Sequence, residues 1–308
     1  MGFLKITASC TKELSELIIG ETRAYSDSFE KDNMGNVIVS VKAKDENSKE
    51  KVAVFCPMDM PELIVTYIEK DGRIRIAPLG KYDLGEVLGK RVTNGEIIGI
   101  LTAQQADTKD FEKAFVNFGF ENECQAEERG ILQGTILSFA PSHTYLENQS
   151  ACSLGAGKLA CVNALCMAIS EIKSIADKEY FFVFCAQSLL GGRGAAPTAY
   201  KINADKALCI STHEGKRLAV RISDKSFTAD KDLAQSVILA SGQAGIELER
   251  IVIPDETSDA VFVQSAAGAT KTASISFPVE YKGGFCEVVR KKDIQNLAAL
   301  ILQCLNNI

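Results

Sequence analysis

The stretch FVFCAQSLLGGRGAAP, residues 182–197, combines two features on which the fold prediction depends. It begins as an uninterrupted apolar run, which is typical of a strand buried on both faces of a sheet. It then becomes a glycine-rich loop in which Arg193 is the single charged residue. Loops that follow such strands often carry ligand-binding groups in α/β proteins. This loop, however, contains no carboxylate, histidine or lysine, so its sequence alone predicts no chemistry.

The segments around this stretch alternate between strand patterns and helix patterns. KVAVFCP (51–57) and KALCIST (206–212) predict further apolar strands. KLACVNALCMAISEIKSIA (158–176) and KKDIQNLAALILQCLNN (291–307) have the length and composition of helices. Strands that alternate with helices in this way predict a mainly parallel sheet flanked by helices on both faces.

Residues 62–141 differ from the rest of the chain. They consist of short alternating segments separated by turn signals such as Asp71-Gly72 and Asn94-Gly95, which predict a small β-rich module. We therefore expect a discontinuous α/β domain, residues 1–61 and 142–308, with a barrel-like domain inserted at 62–141.

Composition restricts the classes of partner. The chain has 308 residues, a net charge of −6 and an isoelectric point near 5.2, which disfavours nucleic acid or an anionic membrane surface as the partner. No apolar stretch is long enough to predict a transmembrane helix, and the amino terminus lacks the pattern of a secretory signal. The ten cysteines form no CxxC pair and lie mostly in apolar runs, which predicts a cytoplasmic protein with reduced thiols.

Local motifs point to no established chemistry. The glycine-rich loop lacks the lysine and hydroxyl residue of a phosphate-binding loop. The two histidines, His143 and His213, stand alone, so they could join a metal site only if distant parts of the chain converge. Gly155-Ala156-Gly157, before a predicted helix, is interpreted as a tight turn, with anion binding as the alternative.

A series of segments nevertheless follows the order found in one family, the tetrahedral, self-compartmentalising aminopeptidases that include glutamyl, leucyl and lysyl aminopeptidases. The resemblance covers almost the whole chain and rests on these segments: DNMGNVIV (32–39), PMDMPELIVTYIEKDGRIRIAPLG (57–80), ERGILQGTILSFAP (128–141), SACSLGAGKLACVNAL (150–165), AQSLLGGRGA (186–195), TSDA (257–260) and SISFPVEYKGGFCEVV (274–289). It implies a phosphorylase/hydrolase-like α/β fold with the inserted barrel, and removal of amino-terminal residues from peptides.

The resemblance also implies two divalent metal ions, Zn²⁺ or Co²⁺, held by histidines and carboxylates, with a further glutamate as general base. In this sequence Pro57 stands at the position of the first histidine, and Asp59, which orients that histidine in the family, is present. Ser153 replaces the bridging aspartate, Ser211 a further aspartate, and Gly283 the last histidine.

The glycine-rich loop 186–195 resembles the family's Gln-Glu-Glu-x-Gly-x-Arg-Gly-Ala segment. Ser188 stands at the position of the general base and Leu189 at that of a ligand glutamate, while Arg193 matches the family's arginine. The resemblance thus implies that the side chains of the metal site and the base are lost. Neutral replacements are consistent with this, because clustered carboxylates would repel one another without cations.

We therefore expect a catalytically inactive aminopeptidase homologue without a metal cofactor, with a pocket lined by Pro57, Asp59, Ser153, Ser188, Leu189, Arg193, Ser211 and Gly283. Its ligand would be a peptide or a small molecule, and the resemblance implies a homo-oligomer, from dimer to dodecamer. Two alternatives stay open: an active metal-dependent aminopeptidase with an atypical site, or a new thiol or soft-metal site built from Cys56, Cys152 and Cys209.

Overall fold

The computed structural model describes residues 4, 8, 10–45, 48, 50–80, 82–104, 110–172, 177–266 and 268–308. Within these residues, no helix is both long and apolar enough to cross a membrane. The helices are α1 (Thr11–Thr22), α2 (Leu84–Val87), α3 (Glu123–Glu128), α4 (Ala156–Ile172), α5 (Ala195–Ile202), α6 (Lys231–Gln243), α7 (Ala260–Gln264) and α8 (Lys291–Asn307), with 3₁₀ turns at Arg23–Tyr25 and Phe111–Lys113.

The strands belong to three sheets. In chain order they are β1 (Ser28–Lys31), β2 (Val37–Val41), β3 (Lys51–Pro57), β4 (Glu62–Ile68), β5 (Ile74–Leu79), β6 (Arg91–Thr93), β7 (Ile98–Ala103), β8 (Ala114–Asn117), β9 (Ile136–Phe139), β10 (Thr144–Leu146), β11 (Ser150–Ser153), β12 (Glu179–Cys185), β13 (Lys206–Glu214), β14 (Ala219–Asp224), β15 (Glu249–Ile253), β16 (Lys271–Val279) and β17 (Glu287–Arg290).

The largest sheet has eight strands in the order β1-β2-β12-β3-β13-β16-β14-β15. Its centre, from β12 through β3 and β13 to β16, is parallel, and β1, β2 and the β14–β16 pairing are antiparallel. The central strands are apolar because both faces are covered. One face packs against α1, α4, α6 and α8, and the other packs against α5 and α7. The expectation of a mainly parallel sheet flanked by helices is confirmed.

The second sheet closes into a six-stranded barrel in the order β4-β5-β8-β7-β6-β9. Its interior is filled by alternating aliphatic side chains, among them Leu63, Val65, Ile76 and Leu101. Alternation arises because successive strand residues point to opposite faces, so one face fills a closed barrel. The barrel strands run from Glu62 to Phe139. The small barrel is as expected from the sequence, while the assignment of domain boundaries stays a prediction.

A third sheet, β10-β11-β17, was not foreseen. It joins residues that follow the barrel to residues near the carboxyl terminus, with Ser153 opposite Glu287. The predicted helix 158–176 is α4, which begins two residues earlier than expected, and residues 173–176 lie outside the described residues. The short helices α5 and α7 were also missed, because each has fewer than nine residues, too few for a helical period to be recognised in the sequence.

Candidate functional site

The glycine-rich loop after β12 is held by a buried polar network beneath it. The side chain of Asn36 accepts a hydrogen bond from the Ala186 N–H at 2.7 Å and donates one to the Gly194 carbonyl at 3.0 Å. Asn36 also donates to Asp32 at 2.8 Å and to the Thr198 hydroxyl at 2.8 Å. One amide side chain therefore fixes both ends of the loop, and a carboxylate in turn orients that amide.

Two of the loop glycines are required by close packing. A Cβ on Gly194 would collide with the Ala186 carbonyl and the Asn36 side chain, and one on Gly192 would collide with the ring of Phe262. Gly192 also has a φ of +68°, in the left-handed region that favours glycine. The composition of the loop thus follows from its path between β12 and α5.

Asp59 anchors the middle of the same loop. It follows β3 and is buried, and its carboxylate accepts hydrogen bonds from the N–H groups of Gln187 at 2.7 Å and Leu189 at 2.8 Å. Burial raises the pKa of Asp59, while the ammonium of Lys158 and the loop N–H groups act in the opposite direction. The aspartate carried over from the resemblance therefore binds the backbone at Leu189, the expected ligand position, and at Gln187, the residue before the expected base position.

Ser188, at the position of the general base, donates a hydrogen bond to Asp259 with an oxygen–oxygen distance of 2.5 Å. Asp259 immediately precedes α7, and burial raises its pKa to about 6. A serine hydroxyl has no basicity at neutral pH, and this one is already engaged with a carboxylate. Leu189 packs against Gly80 of the barrel segment, where an added Cβ would lie 3.2 Å from the leucine Cδ1.

A lysine that the sequence analysis did not single out lies at this edge of the sheet. Lys158, in the first turn of α4, is partly buried and donates from Nζ to the Asp59 carbonyl oxygen at 2.8 Å. Burial lowers its pKa, and the charges of Asp59, Glu287 and Asp259 oppose that effect. The available signal was a lone cation at the start of an otherwise apolar helix, where the helix dipole disfavours positive charge.

The loop that carries Gly283 is tied down by two glutamates. Glu214 accepts hydrogen bonds from the N–H groups of Tyr281 at 3.2 Å and Lys282 at 2.7 Å. Glu287 accepts from the Gly283 N–H at 2.9 Å and, through its other oxygen, from the Gly157 N–H at 2.9 Å. Anion binding was the alternative interpretation of the segment Gly155-Ala156-Gly157 at the start of α4. The anion that binds there is the carboxylate of the protein's own Glu287.

The remaining expected positions lie on strands of two different sheets. Pro57 pairs with Cys185 at the ends of β3 and β12. Ser211 lies on β13 with its hydroxyl 3.3 Å from that of Ser274 and 3.2 Å from that of Ser276. Ser153 ends β11 and is buried, with its hydroxyl 3.3 Å from the Leu154 carbonyl.

These side chains do not fit a dinuclear metal centre. Proline, leucine and glycine side chains offer no donor atom, and serine hydroxyls are poor ligands for Zn²⁺ or Co²⁺. A cationic ammonium, that of Lys158, lies beside the Asp59 backbone. Within the described ranges, no group of three or more histidine, cysteine, aspartate or glutamate side chains is arranged to hold a metal ion.

Two expected groups are not gathered at the site. Arg193 is exposed, on the outer side of the loop. Cys56 packs into the core beneath α4, whereas Cys209 packs into the core beneath α5 and α7, so the sheet separates these thiols. Cys152 is half-buried and adjoins Cys286 instead.

His213 is buried on β13, and burial, with Arg221 and Lys282, lowers its pKa to about 4.

A cavity of about 960 Å³ opens between the barrel and the Gly283 loop. Its lining combines aromatic rings, two exposed acids, one thiol and loop backbone, from Tyr82, Asp83, Glu86, Phe111, Tyr281, Lys282, Gly283 and Cys286 among others. The volume is at the upper end of the range of small-molecule pockets. Of the expected site residues, Gly283 lines this cavity. Leu189 lies next to it, because its side chain packs against Gly80, which also lines the cavity.

Comparison with known proteins agrees with this architecture. The chain is 23% identical to the lysyl aminopeptidase of Pyrococcus furiosus over 313 residues, which cover 93% of this chain and 89% of that protein. The structure matches aminopeptidase APDkam598 from Desulfurococcus kamchatkensis with a TM-score of 0.89 and 22% identity, covering 99% of this chain and 93% of that one.

It also matches the TET1 peptidase of Pyrococcus horikoshii, with a TM-score of 0.84, 23% identity and coverage of 98% and 96%. Among protein families, residues 35–300 match the one described as M42 glutamyl aminopeptidase. That match spans most of the 308 residues and includes Asn36, Asp59, Lys158, Thr198 and the Gly283 segment. The chain therefore belongs to the M42 glutamyl aminopeptidase family.

Proposed function

We propose that this chain is a catalytically inactive member of the family, which binds a ligand or acts as a subunit rather than hydrolysing peptides. The observation that carries the proposal is the state of the loop after β12. There the Ser188 hydroxyl is 2.5 Å from Asp259, and the Leu189 side chain packs against Gly80. Metallopeptidase chemistry needs a metal-bound water and a base to take its proton, and these two side chains can supply neither a ligand nor a base.

The cavity beside the loop supports a binding role. Its three aromatic residues, Tyr82, Phe111 and Tyr281, offer apolar surface, and Asp83 and Glu86 add negative charge. This combination suits a peptide or a small molecule that carries an amine, because cations interact favourably with aromatic faces and with carboxylates. Tyr281 has a φ of +62°, and the Glu214 carboxylate holds its N–H and that of Lys282.

We also infer a homo-oligomer in the cytoplasm. The TET1 peptidase of Pyrococcus horikoshii is described as assembling into a tetrahedron or a large octahedral shell, and its chain superposes on this one almost throughout. All ten cysteines have free thiols, which is consistent with a reducing compartment. Sedimentation analysis of the purified protein measures the assembly, and a strictly monomeric species would contradict this part of the proposal.

The decisive experiment combines metal analysis with an activity assay. The protein, purified without chelator, is assayed on a panel of aminoacyl-p-nitroanilides with and without added Co²⁺ or Zn²⁺, and its metal content is measured by plasma mass spectrometry. The lysyl aminopeptidase of Pyrococcus furiosus serves as the active reference. We expect far less than one metal ion per chain and no hydrolysis above the blank.

Metal-dependent hydrolysis with two ions per chain would instead establish the active alternative. Hydrolysis without metal would point to a serine or cysteine at the site. In that case Ser188→Ala would be the first variant to assay, because the Ser188 hydroxyl already contacts a carboxylate.

A further inference from the structure

Lys158 occupies a position that local helix energetics disfavour. It is the third residue of α4, in the first turn, where unpaired N–H groups give the helix a partial positive charge. The remainder of the helix is almost wholly apolar and packs into the main core. A partly buried ammonium at such a place needs compensating negative charge from outside its own helix.

Three carboxylates from three other parts of the chain provide that charge. Asp59 follows β3, Asp259 precedes α7 and Glu287 begins β17, and the negative charge of each acts on Lys158. The Nζ atom is fixed by its 2.8 Å hydrogen bond to the carbonyl oxygen of Asp59, one of these three residues. Lys282 contributes positive charge nearby, but its ammonium is ion-paired with Glu256.

The three carboxylates are themselves held by neutral donors. Asp59 accepts from two loop amides, Asp259 from the Ser188 hydroxyl, and Glu287 from the amides of Gly157 and Gly283. Neutral hydrogen bonds orient these groups but leave their negative charges in place. The charge of Asp59 acts unfavourably on Asp259, and a cation that attracts all three carboxylates offsets such repulsion.

We propose that the ammonium of Lys158 is the resident cation of this site, and that it takes the electrostatic place of divalent ions, so that the folded chain is complete without metal. This extends the proposed function and rests on its premise that the metal ligands are lost. Lys158 acts here as a positioning residue, because it holds the Asp59 segment and the charges around the Ser188 loop rather than contacting a ligand.

The test is a charge-removal series measured by urea unfolding at pH 8 and pH 5 in the presence of EDTA. Lys158→Met keeps the aliphatic length and removes the charge, and Lys158→Arg keeps the charge. The matched control is Lys12→Met, which removes an exposed lysine from the first turn of α1. We expect Lys158→Met to reduce the ratio of folded to unfolded protein at least about tenfold at pH 8, with a smaller reduction for Lys158→Arg.

The pH comparison separates charge from packing. Asp259 and Glu62, both affected by Lys158, have pKa values raised to about 6 and about 7, mainly by burial. Removing the ammonium would raise these pKa values further, so the variant loses stability as pH rises and recovers it as pH falls. The nearby thiols of Cys56 and Cys161 have raised pKa values and stay neutral throughout. Lys158→Met lowers the ratio of folded to unfolded protein. We therefore expect the logarithm of that reduction to be less than half as large at pH 5 as at pH 8.

Two results would overturn the proposal. One is a Lys158→Met variant whose ratio of folded to unfolded protein falls equally at both pH values, or falls no more than that of Lys12→Met. The other is a rise of several degrees in the melting temperature of the unmodified protein on adding Zn²⁺, Co²⁺ or Mg²⁺. If Lys158→Met does not fold even at pH 5, two other measurements decide between the outcomes. The proposal then requires that Lys158→Arg still folds and that added metal ions do not raise the melting temperature of the unmodified protein. Hydrolysis of aminoacyl-p-nitroanilides would refute the proposed function, whereas the pH pattern tests the role of Lys158 separately.

Discussion

The loop after β12 can be compared with the network that lies beneath it. In the network, Asp32, Asn36 and Thr198 form a continuous set of buried hydrogen bonds that fix both ends of the loop. On the loop itself, Ser188 and Leu189 stand where the family resemblance places a base and a metal ligand. The difference indicates that backbone geometry and side-chain chemistry are separable constraints, because the ends of the loop are held by hydrogen bonds to Asn36 and not by the Ser188 or Leu189 side chains.

The strongest test of this comparison alters the network side. Gly194→Ala places a methyl group against the Ala186 carbonyl and the Asn36 side chain, so a buried hydrogen-bond network must shift. We expect the free energy of unfolding to fall by about 4 kcal/mol, or the protein not to fold, since overpacking and loss of buried hydrogen bonds combine. Denaturant unfolding measures the change.

The control for this variant is Gly20→Ala in α1, where an added Cβ meets no atom within 4 Å. There alanine should be neutral or stabilise the protein by up to about 1 kcal/mol, because glycine disfavours helix. Equal effects of the two substitutions would mean that the loop path is not fixed by the network.

The next largest effect is expected at Asp59, which connects the two regions. Asp59→Ala leaves the N–H groups of Gln187 and Leu189 without their acceptor, and we expect a loss of about 2–3 kcal/mol. Asp59→Asn retains an acceptor oxygen and should recover part of the loss. Hydrogen exchange at these two amides would report the loosened loop directly, and unchanged protection in Asp59→Ala would contradict the anchoring role.

A smaller and pH-dependent effect is expected at Asp259. Its folded-state pKa, about 6, lies above the ordinary value, so the folded protein binds more protons than the unfolded chain and loses stability as pH rises from about 4 to 6. Asp259→Asn removes this dependence. Relative to the unmodified protein, the variant should therefore gain about 1–2 kcal/mol between pH 4.5 and pH 7.5. Unfolding curves at the two pH values would show it, and a parallel pH dependence in both proteins would refute it.

The smallest effect is expected on the outer side of the loop. Arg193 is exposed, and Arg193→Ala should change the free energy of unfolding by less than about 0.5 kcal/mol. A thermal melt of both proteins is sufficient. A loss above 1.5 kcal/mol would show that Arg193 belongs with the network rather than with the solvent-facing surface.

The sequence was most informative where a pattern repeats within one segment. The α/β fold was predicted from the apolar runs of β3 and β12. Its β-rich insertion was predicted from the alternating pattern of the barrel strands. The sheet β10-β11-β17 was missed because its strands are only three or four residues long, and one of them lies far away in the chain. Short strands carry too little periodicity to be identified alone.

The site was predictable only in part, for a related reason. Pro57, Ser188, Leu189 and Gly283 could be proposed from motifs, because each lies within a contiguous segment, and their role stays a prediction. Lys158 and Glu287 could not, since the charges that act on Lys158 come from distant parts of the chain and meet only after folding. A single lysine at the start of an apolar helix looks like an ordinary surface residue until its neighbours are known.

The barrel has a consequence for how this protein can be rebuilt. Its first strand, β4, pairs with its last, β9, with Glu62 opposite Ser138, so the chain enters and leaves the barrel at one place. A segment whose two ends lie side by side can be exchanged for another of similar end-to-end separation while the surrounding chain keeps its course. The junctions near Pro61 and Ala140 are therefore natural points for exchanging the barrel with that of a relative.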